Sequence, residues 1–396
     1  MVYVHVPFCR SFCTYCGFYS EVCRDASAVG TYVKDLCSEA ASRADEIRAT
    51  RGTDTLYIGG GTPSVLPLSA LGDIVAAVRR AGGYGKDESF AECTVEVNPE
   101  DIVEKGEAYA RGLRALGADR ISMGVQSFDD GLLRWMNRRH TAERAAQAAK
   151  MLRQAGFENL SIDLIFGLSG LSDRTWEDTV RRALALNPEH ISAYQLSVED
   201  GSALAAQIES GQYAEASDEL CRHQYDLLCR TLAEAGYRHY EISNFARPGF
   251  EARHNSAYWR RVPYVGLGPG AHSFRTCAGL PETDRPEEIR RWNSEKPAGW
   301  TASQERLTPE DARVETLMLG LRTDLGLPAE RLFALAAPGS AERLLAEGAL
   351  VEFEFGPQAR ACARDAEHPG PDREERRIRI PEDRFFVSDE ILRELI

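Results

Sequence analysis

The sequence predicts an α/β fold: a partial (β/α)6 barrel of the TIM type, followed by a small, mainly helical C-terminal domain. Three observations lead there. Six short β-branched runs recur in the first half of the chain, and segments with apolar residues at helical spacing lie between them. Polar or glycine-rich residues gather at the carboxyl ends of those runs, where parallel barrels place their chemistry. From about residue 305 the alternation gives way to a helical pattern.

The candidate strands are VYVHV (2–6), TLYIGG (55–60), TVEVNP (94–99), RISMGVQS (120–127), LSIDLIFGL (160–168) and HISAYQLSV (190–198). Between them, LSALGDIVAAVRRAG and TAERAAQAAKMLRQAG read as helices that stop on glycine. Strands alternating with helices argue for a parallel sheet. In several strands both faces read as apolar, as a sheet covered by helices requires. A doubly wound open sheet fits the same alternation. Six units rather than eight would leave a barrel open, which suits a large substrate.

The first domain is read as residues 1–200 and the second as 201–304, with irregular strands and loops in RHYEISNFARPGFEARHNSAYW and YVGLGPGAHSF. PETDRP and EKPAGW mark a connector. In the third, 305–396, Val314, Leu317, Met318 and Leu321 share one helical face, and RIRIPEDRFFVS is expected to form a terminal β-hairpin.

A chain of 396 residues buries enough core to need no disulfide framework. Its ten cysteines are scattered beyond the opening cluster, at 23, 37, 93, 221, 229, 277 and 362, as in a reducing compartment. No signal peptide fits MVYVHVPF, and no apolar run approaches the roughly 20 residues of a membrane span. The expected location is cytoplasmic. The net charge of −14 repels polyphosphate and argues against a nucleic-acid partner. The arginines at Arg373, Arg376 and Arg377 alternate with acids and read as a solvated charged turn.

The opening stretch HVPFCRSFCTYCGFYS carries the chemistry. Spacings of four and three residues let Cys9, Cys13 and Cys16 converge from one tight loop, with Gly17 free in its backbone angles. Such soft ligands suit zinc or an iron–sulfur cluster. Structural zinc needs a fourth ligand, for which His5 or Cys23 could serve, although His5 in an alternating strand reads as a core or capping histidine. A four-iron cluster held by three thiolates keeps one iron open. Spacing alone leaves these readings open.

CRSFCTYC resembles the CxxxCxxC signature of radical S-adenosylmethionine enzymes, and GGGTP and the partial barrel are similar to what that superfamily shows. The resemblance implies a four-iron, four-sulfur cluster on Cys9, Cys13 and Cys16, with S-adenosylmethionine on the open iron, cleaved after electron transfer to a 5′-deoxyadenosyl radical. It implies cofactor contacts at Gly61 and Thr62 in GGGTP, and at Glu96, Gln126, Arg138 and Asp163. Plainer readings stand beside these: a tight turn for GGGTP, a satisfied rim carboxylate for Glu96, and a helix-surface arginine for Arg138.

YVHVPFC, GGGTPS, VEVNPE, MGVQSF, IDLIFGL and GLGPGAHSF together resemble, over almost the whole chain, the branch holding the coproporphyrinogen III dehydrogenase HemN and the haem chaperone HemW. Tyr3 and Tyr15 match positions lining the first and second S-adenosylmethionine sites of the dehydrogenase. Two departures point away from it. Phe18 stands where the dehydrogenase pattern CxxxCxxCxC has a fourth cysteine, and the first strand begins at residue 2, without the dehydrogenase's N-terminal extension. The stretch His254, Asn255, Tyr258 and Trp259 resembles the HNxxYW hallmark of the chaperone, associated with haem. Imidazole is a standard axial ligand to haem iron. On the residues alone, HNSAYW reads as a packed loop with an aromatic anchor; the resemblance is what turns it toward haem. His272 in GPGAHSF ranks lower, and Cys221, Cys229 and Cys277 read as buried thiols.

The resemblance thus implies a haem chaperone that passes its cargo to an acceptor haem protein, of the respiratory chain for instance, and that could form a homodimer. The alternatives are the dehydrogenase itself, whose radical abstracts hydrogen from propionate side chains before decarboxylation to vinyl groups, and a radical enzyme acting on an unrelated substrate.

Overall fold

The structure is a computed structural model, and it describes residues 1–23, 25–277, 287–355 and 375–396. PETDRP, Cys362, Arg373 and the side chain of Cys277 lie outside the described residues.

Each candidate strand forms, and each feeds a helix or a functional loop. β1 (Val2–Val6) leads into β2 (Phe8–Cys9), which pairs in parallel with β3 (Glu21–Val22) and pinches the cysteine loop between them. Helices α1 (Ala26–Ser42) and α2 (Ala44–Ala49) return the chain to β4 (Thr55–Gly60). The units then repeat: α3 (Leu68–Gly82), β5 (Glu92–Val97), α4 (Pro99–Ala115) and β6 (Arg120–Gln126). After α5 (Asp130–Trp135) and α6 (Ala142–Gln154) come β7 (Asn159–Phe166), α7 (Asp173–Ala185) and β8 (His190–Gln195). Asp129, Thr141 and Ser172 each accept a backbone N–H at a helix start, which is why these helices begin there.

The chain continues through α8 (Ala203–Glu209), α9 (Asp218–Glu234), β9 (Arg238–Glu241), β10 (Asn244–Ala246), α10 (Arg253–Trp259) and β11 (Val265–Leu267). The resulting sheet has nine strands in the order β11-β1-β4-β5-β6-β7-β8-β10-β9. Its six central strands are parallel, while β10 runs antiparallel to β8. Among the described residues the two ends of this sheet are not hydrogen-bonded to each other, in keeping with a partial barrel.

One expectation is corrected: the parallel strands are not apolar on both faces. Leu56, Ile58, Val95, Ile121, Met123, Leu160, Ile162, Leu164 and Ile191 belong to the hydrophobic core. On the opposite face Tyr57, Glu96, Arg120, Ser122, Asp163 and Ser192 line a cavity. Strand side chains alternate, and here the inner set encloses a polar chamber instead of a packed barrel core.

Beyond the barrel, β12 (His272–Cys277), β13 (Glu287–Asn293) and β14 (Ala302–Arg306) form an antiparallel sheet. The last region holds α11 (Pro309–Gly320), β15 (Leu327–Pro328), α12 (Ala329–Leu335), α13 (Ser340–Ala346), β16 (Val351–Phe355), β17 (Glu375–Arg379) and α14 (Ser388–Leu395). Leu317 and Leu321 are buried, as their helical spacing predicts.

The expected terminal hairpin does not form. β17 pairs with β15 and β16, and Pro381 instead opens a 3-10 turn over Glu382–Val387 that runs into α14 and buries Phe385. Proline followed by Glu382 and Asp383 is a helix-start signal, and it outweighs the aromatic pair behind it. Arg376 and Arg377 stand in β17 and not in the charged turn expected of that stretch: Arg376 makes an exposed pair with Glu352, whereas Arg377 is partly buried, pairs with Glu375 and donates to Leu325 O and Gly326 O. Among the described residues, no helix is long and apolar enough to cross a membrane.

Candidate cofactor site at the mouth of the barrel

The cysteine loop is held from several sides. Cys9 O accepts from Cys23 N–H at 2.8 Å, closing its base. Thr14 donates through its backbone to Met136 O and through its hydroxyl to Trp135 O, and its own carbonyl accepts from Leu204 N–H at the start of α8. Gly17 lies so close to the segment ahead of α8 that an added Cβ would meet Glu199 Cβ at 2.5 Å. The loop therefore holds its shape through contacts from other elements.

All three cysteines line a cavity of about 520 Å³ that extends into the barrel. Cys9 Sγ lies 3.4 Å from Thr62 Oγ1, and Cys13 Sγ accepts from Arg138 Nη1 at 3.4 Å. Burial pushes the Cys9 thiol up and the Cys16 thiol up to about 11. Such thiols ionise readily only with a strong positive charge beside them, which a metal group provides. Three sulfurs form a soft donor set fit for an iron–sulfur cluster. The zinc alternative loses His5, whose Nε2 bonds Tyr19 O at 2.8 Å and whose Nδ1 bonds Tyr3 hydroxyl at 3.0 Å.

GGGTP is built for close approach. A Cβ on Gly61 would meet Val6 O and Phe8 O at 2.9 Å and Cys9 Sγ at 3.1 Å, so a side chain here would push the turn off the cysteine loop. Gly60, at φ 107°, donates its N–H to Glu96 Oε2 at 3.0 Å, and Tyr57 donates to Glu96 Oε1 at 2.7 Å. Burial still raises Glu96 to about 7, with the charge of Asp163 adding to the shift. Asp163, also raised by burial, accepts from Ser122 Oγ at 3.0 Å.

Gln126 adopts φ 67°, and the β6–β7 ladder shifts register between Gly124 and Gln126. Left-handed backbone at a non-glycine residue is strained, and a bulge of this kind re-aims a side chain, here into the cavity. Arg138 is not the surface arginine of the plainer reading. Its Nη2 donates to Asn98 Oδ1 and Gly124 O at 2.6 Å each, while its Nε is buried without a partner.

The cavity therefore brings together Cys9, Cys13, Cys16, Tyr15, Gly61, Thr62, Glu96, Gln126, Arg138 and Asp163. Tyr3 is not in its lining and instead bonds His5, with its ring centroid 6.1 Å from that of Tyr57. Sequence reading missed Arg120, Ser122 and Ser192, which also line it. Extending the inward face of β6 back from Gln126 through Gly124 would have found the first two.

The HNSAYW helix behaves differently from expectation. His254 is 1% exposed, its Nδ1 bonds Thr55 Oγ1 at 2.8 Å, and its Nε2 bonds Tyr258 hydroxyl at 3.0 Å. Both ring nitrogens are thus engaged, and of the four motif residues Asn255 reaches the cavity. His272 is exposed and outside it, whereas Cys221 is buried and Cys229 partly so, as read.

Residues 3–183 match the Radical SAM superfamily. The chain is 36% identical over 338 residues to the "Heme chaperone HemW" of Synechocystis sp., covering 82% of this chain and 78% of that one. The chain belongs to the HemW family of the radical S-adenosylmethionine superfamily. Another HemW relative, from Mycobacterium tuberculosis, is 36% identical over 363 residues, 89% of this chain and 87% of its own. The "Radical S-adenosyl methionine domain-containing protein 1, mitochondrial" of Danio rerio is 32% identical, over 82% and 73%. The solved structure of HemN from Escherichia coli superposes with a TM-score of 0.72 at 22% identity, covering 100% of this chain and 89% of that one, and so shares the fold. In this HemW-family chain Phe18 is 72% exposed beside the cluster loop, where it offers an aromatic surface and no thiol.

Proposed function

We propose that the protein is a haem chaperone that holds a four-iron, four-sulfur cluster on Cys9, Cys13 and Cys16, binds S-adenosylmethionine beside it, and passes haem to an acceptor haem protein. Likeness to proteins named heme chaperone HemW, along more than four-fifths of the chain, carries this reading.

When bound, the cluster supplies an open iron and an electron for reductive cleavage of S-adenosylmethionine. The chain's own residues bind and orient. Arg138 places a buried cation against Cys13, offsetting the negative charge of a thiolate-ligated cluster. Gly61 gives the methionine end a backbone surface without side-chain bulk, and Thr62 adds a hydroxyl between Cys9 and Asn98. Glu96, anchored by Tyr57 and Gly60 N–H, and Asp163 with Gln126 supply acceptors for ammonium and ribose hydroxyls. Tyr15 adds an aromatic wall. The eight described cysteines are free, which suits a reducing compartment such as the cytoplasm.

Anaerobic reconstitution tests the cofactor, with about four irons per chain expected; a protein that takes up only zinc would overturn it. Incubation of the reconstituted protein with S-adenosylmethionine, reductant and coproporphyrinogen III is expected to give no decarboxylated product, and haem is expected to produce a saturable Soret change. Decarboxylated product would make the protein a dehydrogenase instead.

A further inference from the structure

The polar inner face of the barrel contains one cation for which neither the fold nor the cofactor accounts. Arg120 opens β6, is 1% exposed, and lines the same cavity as the cysteines. Its Nε is enclosed without a hydrogen-bond partner. Three carboxylates share its field, Glu92, Asp163 and Glu96, the last already held by Tyr57 and Gly60 N–H. Glu92 is occupied by the backbone N–H groups of Arg253 and His254 at 2.9 and 3.0 Å, and Asp163 by the hydroxyl of Ser122. A buried guanidinium whose Nε has no acceptor is incompletely satisfied, and a carboxylate is the partner its geometry suits.

Position decides which anion. Gln126 ends the strand that Arg120 begins, so the two backbones stand roughly 20 Å apart at about 3.3 Å per residue. S-adenosylmethionine beside Cys9, Cys13 and Cys16 would present its carboxylate at the far, cysteine end. What reaches Arg120 is a second carboxylate, on a ligand entering the inner part of the chamber. Asn255, the one HNSAYW residue in the lining, supplies a neutral donor and acceptor to the same chamber.

We propose that Arg120 is a carboxylate anchor inside the barrel, assisted by Asn255, and that it holds a propionate of haem. The proposal rests on the haem-chaperone reading and gives the HNSAYW helix a role through its asparagine. His254 then acts as a positioning residue, pinning α10 to β4 through Thr55.

The test compares haem with its dimethyl ester, in which both propionates are masked, by Soret titration of the reconstituted protein. Wild type should bind the ester roughly 10- to 100-fold more weakly, the worth of a hydrogen-bonded charge. Arg120→Gln, its fold verified by circular dichroism, should bind haem and ester alike, with S-adenosylmethionine affinity by equilibrium dialysis at the wild-type level. Equal binding of haem and ester by wild type overturns the anchor and leaves the haem reading standing, without recourse to any variant. No binding of either ligand removes both. A variant that loses S-adenosylmethionine affinity but keeps its preference for haem over the ester assigns Arg120 to that cofactor and overturns the proposal.

Discussion

Burial holds the His254 imidazole neutral, its pKa well below the ordinary histidine range. An unfolded chain protonates this ring below about pH 6.5, whereas the native protein does not. The unfolded state therefore binds more protons as pH falls, and the stability His254 contributes is present above that pH and lost below it. His254→Ala would strand Thr55 Oγ1 and Tyr258 hydroxyl and empty a buried site, at about 2–4 kcal/mol near pH 7.5. Urea melts at pH 7.5 and 5.5 should show the gap between wild type and variant narrowing by about 1 kcal/mol; a constant or widening gap would contradict a neutral buried ring. That Cys9, Cys13, Cys16, Glu96, Gln126 and Asp163 share one cavity was legible because each lies on a strand of the barrel or in the loop that follows one, where the pattern marks the element and its neighbours. The aim of His254 was not, because its direction depends on Thr55 and Glu92, elements brought to α10 by the fold.

Among the elements, α4 shows how local backbone geometry supports the site. Its regular turns break at Gly106, where φ is 78° and ψ 178°, a conformation open in practice to glycine alone. Lys105, just before the break, donates to the carbonyls of Ser64, Val65 and Leu66. Tyr109, just after it, donates to Ser64 O and Leu66 O. The two halves of α4 thus clasp the 3-10 turn that follows Thr62. A Cβ on Gly106 would meet no atom within 4 Å, so any loss in Gly106→Ala is backbone strain. Thermal melts should report a loss of about 1–3 kcal/mol, and a variant as stable as wild type would show that α4 can run straight. Strands and helices of the barrel were readable because their period is local. The order β15-β17-β16 was not, since β17 takes its partners from far upstream and local patterning offers no choice among them.

At the scale of the whole molecule, Glu39 of α1 and Arg43, which caps its end, tie the start of the chain to segments beyond residue 265. Glu39 accepts from Gly268 N–H, Asn293 Nδ2 and Trp300 Nε1, each at 2.9 Å. Arg43 donates to Gly266 O at 2.7 Å and Ser273 Oγ at 3.0 Å, and pairs with Glu39 at 3.2 Å. They fasten α1 to edge strand β11 and to the β12–β14 sheet. In sequence the pair looks like an ordinary i,i+4 ion pair on a helix surface, so nothing local distinguishes it from its exposed neighbours. Buried, it should behave otherwise. Removing either partner takes an ion pair and several buried hydrogen bonds from the other, although Arg43 keeps Glu46 at 2.7 Å and Glu39 keeps Arg291 at 3.6 Å, so Glu39→Ala or Arg43→Ala should cost about 2–4 kcal/mol. The ion pair the two share is lost once in the double variant but twice in the sum of the singles, so the double loss should fall short of that sum by about 1–2 kcal/mol. Urea denaturation of the four proteins measures that difference. Strict additivity would mean that each residue acts through its own neutral contacts, and that the tie between α1 and the later segments does not depend on their charge.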